Sequence, residues 1–554
     1  MIRLFTLFCV QSVFVILLIG GCQPTSNPSA NPLIKKKPVP SLHSIGERTF
    51  LIVDQKPYFI LGGELGNSTF TSVESMKPVW PALKAMQLNT VLAPVYWELI
   101  EPAQGQFDFV LLDQLIREAR KNDLKLVLLW FGAWKNSMSS HAPAWIKTDT
   151  YTYPRIKDEQ GNSHEILTPF DPKNLEADKA AFVALMSHLA VFDSTKRTVI
   201  MVQPENEVGM LPAARDHSAA ANKAFEEQVP QQLIDFLVQN REQLLPETLK
   251  SWSANNFATS GSWEQVFGSG IATDEIFMAW HYGIYIEELI SAGKQTYPLP
   301  MFVNAALNRP DRLPGTGYPS AGPLPHLLDF WKAAAPSIDF YAPDLYFSEI
   351  TSWCERYTRK NNPLFIPEIR FDETVAPKAL YTIGHFESLG FSPFSIESAA
   401  DPETEELGKA YRLIRQLTPL IAQHRGTGKI EGVLLDREDP QMVIQLGNYE
   451  LNVKHSFTLG YELGSKNDEW PTAGAIIIQS DENEFFVGGA GVVITFQHRS
   501  AANVGILKTE EGNFQEGKWK VFRHLNGDQT HQGRHIRIFR DQYSIQRFEL
   551  YTYP

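Results

Sequence analysis

Eight short apolar runs alternate with helical patterns up to about residue 425, and strand patterns alone follow. Those two observations predict an α/β chain: a (β/α)8 (TIM) barrel over residues 44–425, then an all-β sandwich over 426–554. A third observation separates this from the doubly wound open sheet, the alternative for alternating strands and helices. No GxGxxG or GxxxxGK[ST] loop is present, and the open sheet usually carries one. The eight runs fall at 58–61, 90–92, 124–130, 198–202, 301–303, 338–341, 364–366 and 391–396. Amphipathic stretches such as 110–122 and 179–191 lie between them. From about 426 the short runs 432–435, 442–446, 475–478, 485–487, 492–496 and 536–539 are separated by turn residues, the pattern of a sandwich.

Composition narrows the function classes. Apolar residues are 43% and charged residues 20%, ordinary globular values. The formal charge of −13 argues against nucleic acid as a partner, because phosphate binding needs a basic surface. The 12 Trp, 18 Tyr and 34 Phe include faces suited to sugar rings, although most belong to the core. Only Cys9, Cys22 and Cys354 are present, which excludes a disulfide scaffold and a Cys-rich zinc site. No metal-ligand spacing is evident, and neither a metal nor an organic cofactor is expected.

The first segment reads as targeting. Arg3 precedes an apolar run over 4–19, then Gly20, Gly21 and Cys22. The run is short for a spanning helix, which needs about 20 apolar residues, so residues 1–21 read as a signal peptide. The ending Leu18-Ile19-Gly20-Gly21-Cys22 resembles a bacterial lipobox. That resemblance implies cleavage before Cys22, lipid on its thiol and anchoring in the cell envelope. Gln23, where inner-membrane retention uses Asp, points to the outer membrane, on its periplasmic or surface face. Residues 22–43, rich in Pro, Ser and Asn, read as a flexible tether.

Chemistry in such a barrel sits at the C-terminal ends of the strands. The fourth run ends in Gln203-Pro204-Glu205-Asn206-Glu207 and the seventh in Pro367-Glu368. Two carboxylates facing one cavity are what glycoside hydrolysis needs. Other strand-end residues are candidates for sugar contact. They are Glu64 on strand one, Tyr96 and Glu98 on strand two, and Trp134, Lys135 and Asn136 on strand three. Tyr341 and Tyr346 flank Pro343-Asp344 at strand six. Glu205 alternates away from Asn206, which leaves it between sugar contact and a supporting place. His281, inside a helical pattern, reads as packing or pocket wall.

The segment Gln203-Pro204-Glu205-Asn206-Glu207-Val208-Gly209 resembles the Gln-x-Glu-Asn-Glu-Tyr-Gly motif of glycoside hydrolase family 35, the β-galactosidases. Phe50 to Pro57, Tyr96-Trp97-Glu98-Leu99-Ile100-Glu101-Pro102, Gly105-Gln106-Phe107-Asp108-Phe109 and Ala142-Pro143-Ala144-Trp145-Ile146 resemble further family segments. The resemblance implies Glu207 as acid/base, Glu368 as nucleophile and Asn206 as donor to the sugar 2-hydroxyl. It also implies retention, with the carboxyl groups about 5–5.5 Å apart and repulsion keeping Glu207 protonated. The chain departs from the family at Ala93-Pro94-Val95, where a sugar-contacting Tyr is usual and Tyr96 is the candidate substitute. It departs again at strand three (130–136) and at Val208.

The leading expectation is an exo-acting β-galactosidase that removes terminal galactose from plant-type oligosaccharides such as xyloglucan fragments. The alternatives are hydrolysis of a β-glucoside or α-L-arabinoside, and a glycan-binding lipoprotein without turnover. The expected partners are an oligosaccharide and the lipid anchor; the oligomeric state is left open.

Overall fold

In the computed structural model, which describes residues 37–554 apart from residues 47, 310 and 501, each of the eight apolar runs becomes a parallel strand. They are β1 (Ile60–Leu61), β2 (Thr90–Tyr96), β3 (Lys125–Lys135), β4 (Val199–Asn206), β5 (Phe302–Ala306), β6 (Phe340–Leu345), β7 (Ile366–Ile369) and β8 (Gly390–Pro393). Parallel pairing joins β2 to β3 to β4, and β5 through β8 to β1. The bridges Val202–Met301 and Glu64–Leu92 join the two arcs, so the pairings close on themselves as a ring.

Side chains on a strand alternate between its two faces, and here that parity sorts the core. Ile60, Leu92, Val127, Leu129, Phe131, Phe302, Phe340, Ala342, Phe365 and Leu389 fill the inside of the ring. Phe302 and Phe340 stack at 5.2 Å, and Phe365 stands edge-on to both. Leu51 and Val53 belong to the same cluster. They come from the hairpin Ser41–Ile45 with Arg48–Val53, whose Leu51 and Val53 pack under the N-terminal strand ends. The signal peptide and Cys22 lie outside the described residues, as does the tether up to residue 36; strand Ser41–Ile45 occupies the last residues read as tether. No helix among the described residues is long and apolar enough to cross a membrane.

The outward-facing residues meet helices. In Val110–Lys121, Leu112, Leu115, Ile116 and Ala119 repeat at helical spacing and are buried. Pro172–Phe192 starts at Asp171, whose carboxylate accepts the Lys173 N–H, with Pro172 at the first helical position. Between β4 and β5 the chain inserts several short helices before the long helix Ile271–Thr296.

After helix Glu406–His424 the chain makes two antiparallel sheets of six and four strands. Val433, Leu451, Ile477, Phe485, Ile494 and Phe548 share one core between them. The outer face of the six-stranded sheet contributes Ile476, Ile478, Phe486 and Ile545 to the core that also holds Leu413, Leu417 and Ile421 of the helix. Arg540 clamps Glu406 with two parallel bonds of 3.0 and 2.9 Å, and Tyr543 donates to the same carboxylate. Helix Val375–His385 and strand Ile430–Leu435 approach so closely that only glycines fit. A Cβ on Gly432 would stand 2.2 Å from the Tyr381 carbonyl oxygen, and one on Gly384 would stand 2.6 Å from Gly432 Cα. Gly432→Val is therefore expected to lower stability by about 1–3 kcal/mol through overpacking. Urea unfolding would measure this, and a midpoint equal to the wild type would contradict such tight docking.

Candidate active site

Ring strands deliver acids, amides and one ammonium to their C-terminal ends. Glu207 and Glu368 are each 5% exposed, and Glu64, Asn206 and Asp344 are 1% exposed. One carboxylate oxygen each from Glu207, Asp344 and Glu368 lie within 4.8 Å of one another. Consecutive residues of a regular strand face opposite ways, yet Asn206 and Glu207 both reach this cluster. Left-handed backbone makes that possible, at Glu205 (φ 63°) and Glu207 (φ 45°). Asn136 (φ 49°) and Ser137 (φ 68°) turn the end of β3 in the same way. Such strain at non-glycine residues collects at functional sites. On β7 a register shift between Ile366 and Ile369 lets Phe365 and Glu368 both face inward.

The donors are few and specific. Tyr346 donates its hydroxyl to Glu368 Oε1, and Asn136 Nδ2 donates to Glu207 Oε2. The Glu207 N–H donates to Asn304 Oδ1 at 2.9 Å, and Asn304 Nδ2 donates to Asp344 Oδ2 at 2.7 Å. Lys135 Nζ donates to Asn206 Oδ1 at 2.7 Å and sits 5.0 Å from the Phe131 ring centroid. That bond fixes the amide orientation and leaves Asn206 Nδ2 buried without a partner. Glu64 Oε1, Glu368 Oε2 and Asp344 Oδ1 are likewise buried without a partner. Native structures satisfy nearly all buried polar atoms, so this concentration marks a place made for a polar ligand.

Electrostatics follow from burial. Desolvation first, then repulsion from Glu207, pushes Glu368 up to about 7, against the relief given by Lys135 and the Tyr346 hydroxyl. Glu207 is raised by desolvation, against Lys135. Glu64 and Asp344 are raised well above the usual range by desolvation and then by Glu368. The protons therefore belong to the set rather than to single residues. Because its native value exceeds the unfolded 4.5, Glu368 binds more proton in the native state between those values. Its contribution is fully present below about 4.5 and is lost as pH rises through about 7. Glu368→Gln should then unfold later than the wild type at pH 8, by on the order of 3 kcal/mol at most, with the gap closing by pH 4. Unfolding midpoints across pH would check this, and a gap constant with pH would contradict it.

The same parity corrects several expectations. Lys135, Asn136, Asn206, Glu64 and Tyr346 do join the cluster. Trp134 does not: it faces outward, is fully buried against Tyr282 and Tyr285, and donates to the Leu167 carbonyl. Tyr341 also faces outward, because Phe340 and Ala342 hold the inner positions of β6. Glu205 is not available to a sugar. Its two oxygens accept the Ala133 and Trp134 N–H groups at 3.1 and 2.6 Å, and it lies beside Asp178 in the ring wall. Tyr96 faces inward but packs on Phe131 and His141 at 5.9 and 5.3 Å, with no bond from its hydroxyl to the acids. Glu98 stays at the rim, 39% exposed, paired with His141 at 3.1 Å. His281 packs among Phe170, Phe277 and Trp263, and burial lowers it to about 3.

Asp344 and Asn304 are site residues that no motif singled out. Their signal was parity: Phe340, Ala342, Asp344 and Phe302, Asn304 each share an inner face. Among the described residues, Glu207, Asp344 and Glu368 form the one group close enough to share a cation. The Lys135 charge, which favours ionisation of both glutamates, opposes that use.

Comparison with known proteins adds sequence kinship. The model of "Glycosyl hydrolases family 35" matches residues 50–273, which carry β1 to β4 and Glu207. Over residues 50–273 the chain is similar to glycosyl hydrolase family 35. The family 35 segment is followed by a match over residues 407–537 to "Domain of unknown function (DUF5597)". A β-galactosidase of Xanthomonas manihotis is 28% identical over 182 residues, which cover 31% of this chain and 27% of that protein. The alignment thus spans about a quarter of that relative. Among solved structures, β-galactosidase from Rahnella sp. R3 aligns over 90% of this chain and 99% of its own, with 11% identity and a TM-score of 0.48. That of Bacillus circulans sp. alkalophilus aligns over 65% and 56%, with 13% identity and a TM-score of 0.44.

Proposed function

We propose that this chain is a retaining exo-β-galactosidase. The observation that carries the reading is the approach of Glu207 and Glu368 oxygens within 4.8 Å. A retaining pair stands about 5–5.5 Å apart, whereas an inverting pair leaves about 6.5–9.5 Å for a water. Glu368, at the end of β7 under the Tyr346 hydroxyl, attacks the anomeric carbon and forms a glycosyl-enzyme. Glu207 protonates the departing oxygen, then takes a proton from water in the second step. Asn206, oriented by Lys135, offers its free Nδ2 to a sugar hydroxyl, and Glu64 offers an acid at the floor of the site. The depth of both glutamates suits a terminal residue better than a chain threading through, which supports exo action.

In this reading the ring is a (β/α)8 barrel, the twin sheets are a β-sandwich that buttresses it, and the substrates are galactose-capped plant oligosaccharides. The lipobox-like ending at Cys22 supports a lipid-anchored enzyme on the outer membrane. The family 35 segment and the Xanthomonas manihotis relative support the sugar. The altered residues at 93–95 and 130–136 favour a second reading, in which the barrel cleaves a β-glucoside or α-L-arabinoside. Nitrophenol release by the chain from Gln23 tests both. Preference for the β-D-galactoside supports the first reading, and preference for another aryl glycoside replaces it with the second.

A further inference from the structure

We propose that Asp344 is a positioning residue that stays protonated and donates its Oδ1–H to the Glu207 carboxyl throughout the reaction. The inference rests on the reading of Glu207 as acid/base and adds a third carboxyl to the pair.

Geometry carries it. Asp344 is 1% exposed at the end of β6. Its Oδ2 accepts Asn304 Nδ2 at 2.7 Å, while Oδ1 receives no N–H or O–H donor. What lies close to Asp344, within 4.8 Å, are the oxygens of Glu207 and Glu368. Two carboxylate oxygens this close and this dry are satisfied only when one carries a proton. Glu207 has the Asn136 amide and Glu368 has the Tyr346 hydroxyl as donors. Asp344 has one amide, on Oδ2, and no donor on Oδ1, so it is the group that holds a proton of its own. Asn304 locks the arrangement, since its Oδ1 accepts the Glu207 N–H while its amide holds Asp344.

The titratable groups facing Asp344 are Glu64 after β1, Glu207 at the end of β4, Tyr346 beyond β6, Glu368 on β7 and Tyr357 on helix Ile350–Tyr357. Lys135 on β3 is the ammonium that acts on the two glutamates. Burial and repulsion from Glu368, Glu207 and Glu64 raise Asp344 well above the usual carboxylate range. Turnover by this route needs Glu368 ionised beside the Lys135 ammonium, with Glu207 and Asp344 neutral. In the first step the Glu207 proton goes to the leaving oxygen, and the new carboxylate accepts the Asp344 O–H. In the second step Glu207 takes a proton from water. Asp344 neither gains nor loses one.

The test is the pH profile of kcat/KM on an aryl β-galactoside, measured for the full chain from Gln23. Asn presents a neutral donor of the same shape, so Asp344→Asn should lower kcat by less than about tenfold and leave the alkaline limb in place. Asp344→Ala removes the donor from Glu207 and should move that limb upward by about one pH unit. An Asp344→Asn limb that moves downward would mean that an ionised Asp344 had been raising Glu207, and would overturn the proposal. Unmoved limbs in both variants would reduce Asp344 to a structural part and overturn it too. The infrared difference spectrum of wild type minus Asp344→Asn at pH 7 gives a readout without turnover. A protonated-carboxyl band assigned to Asp344 supports the proposal and its absence overturns it, even if Asp344→Ala fails to fold. Loss of the galactosidase reading would show separately, as a wild type without activity on any aryl glycoside.

Discussion

Glu368→Gln is expected to lower kcat on an aryl β-galactoside by about 10⁵-fold or more, the scale seen when a nucleophile acting within a concerted set is removed. The amide keeps the shape of the carboxylate and can still accept the Tyr346 hydroxyl. Substrate binding should therefore change far less than kcat. Steady-state kinetics on purified wild type and variant check this. A loss shared equally by kcat and folding, or a variant that retains turnover, would remove Glu368 from the chemistry. The same variant is the one expected to be more stable at pH 8, so loss of activity and gain of stability should travel together. Active sites that hold buried acids together show this trade.

Glu207→Ala should separate the two chemical steps. With a poor leaving group, protonation by Glu207 is needed and kcat should fall by about 10²–10⁴-fold. With a nitrophenolate leaving group the first step needs little protonation, while the second still lacks its base. A burst of nitrophenol followed by slow turnover is the expected trace. Added azide, which needs no base, should restore the rate and yield a galactosyl azide. A loss independent of the leaving group, with no burst, would deny Glu207 the acid/base role.

Much of this site was legible because its main residues end apolar runs. Glu207 lies five residues beyond run four and Glu368 two beyond run seven, and ring strands put such residues at one rim. What sequence position alone did not give was the face. Trp134 and Lys135 are neighbours at the end of β3, and only Lys135 enters the ring. Tyr341 and Tyr346 bracket the end of β6, and parity sends one to helix packing and the other to Glu368. Asp344 stood between those tyrosines in the Pro343-Asp344 pair. Counting alternate positions from Phe340 would have placed it inside. Parity fails at Glu207, where left-handed backbone turns a residue that would have faced outward. Motif resemblance supplied that residue instead.

The C-terminal strands show the opposite loss. Lys518–His524 is exposed along almost all its length, and Asn503–Gln515 and Ser544–Tyr553 mix polar and apolar residues on faces that are only half covered. Without one buried face, alternation leaves little hydrophobic signal. Tyr449–His455 alternates buried Tyr449, Leu451, Val453 and His455 with half-buried Glu450, Asn452 and Lys454, so no two apolar residues are adjacent and no apolar run marks the strand. Two of the runs that were legible, 475–478 and 485–487, are buried on both faces, between the second sheet and helix Glu406–His424.

The central claim is that Glu368 forms a covalent bond to galactose. Its most direct measurement uses an activated 2-deoxy-2-fluoro-β-galactoside, which slows the second step more than the first when the leaving group is good. Mass spectrometry of the intact chain and of its peptides then reads the result. One fluorogalactosyl group on the peptide that carries Glu368, absent from Glu368→Gln, is the expected outcome. Label on another residue, or an unlabelled chain that still turns over aryl β-galactosides, would contradict it.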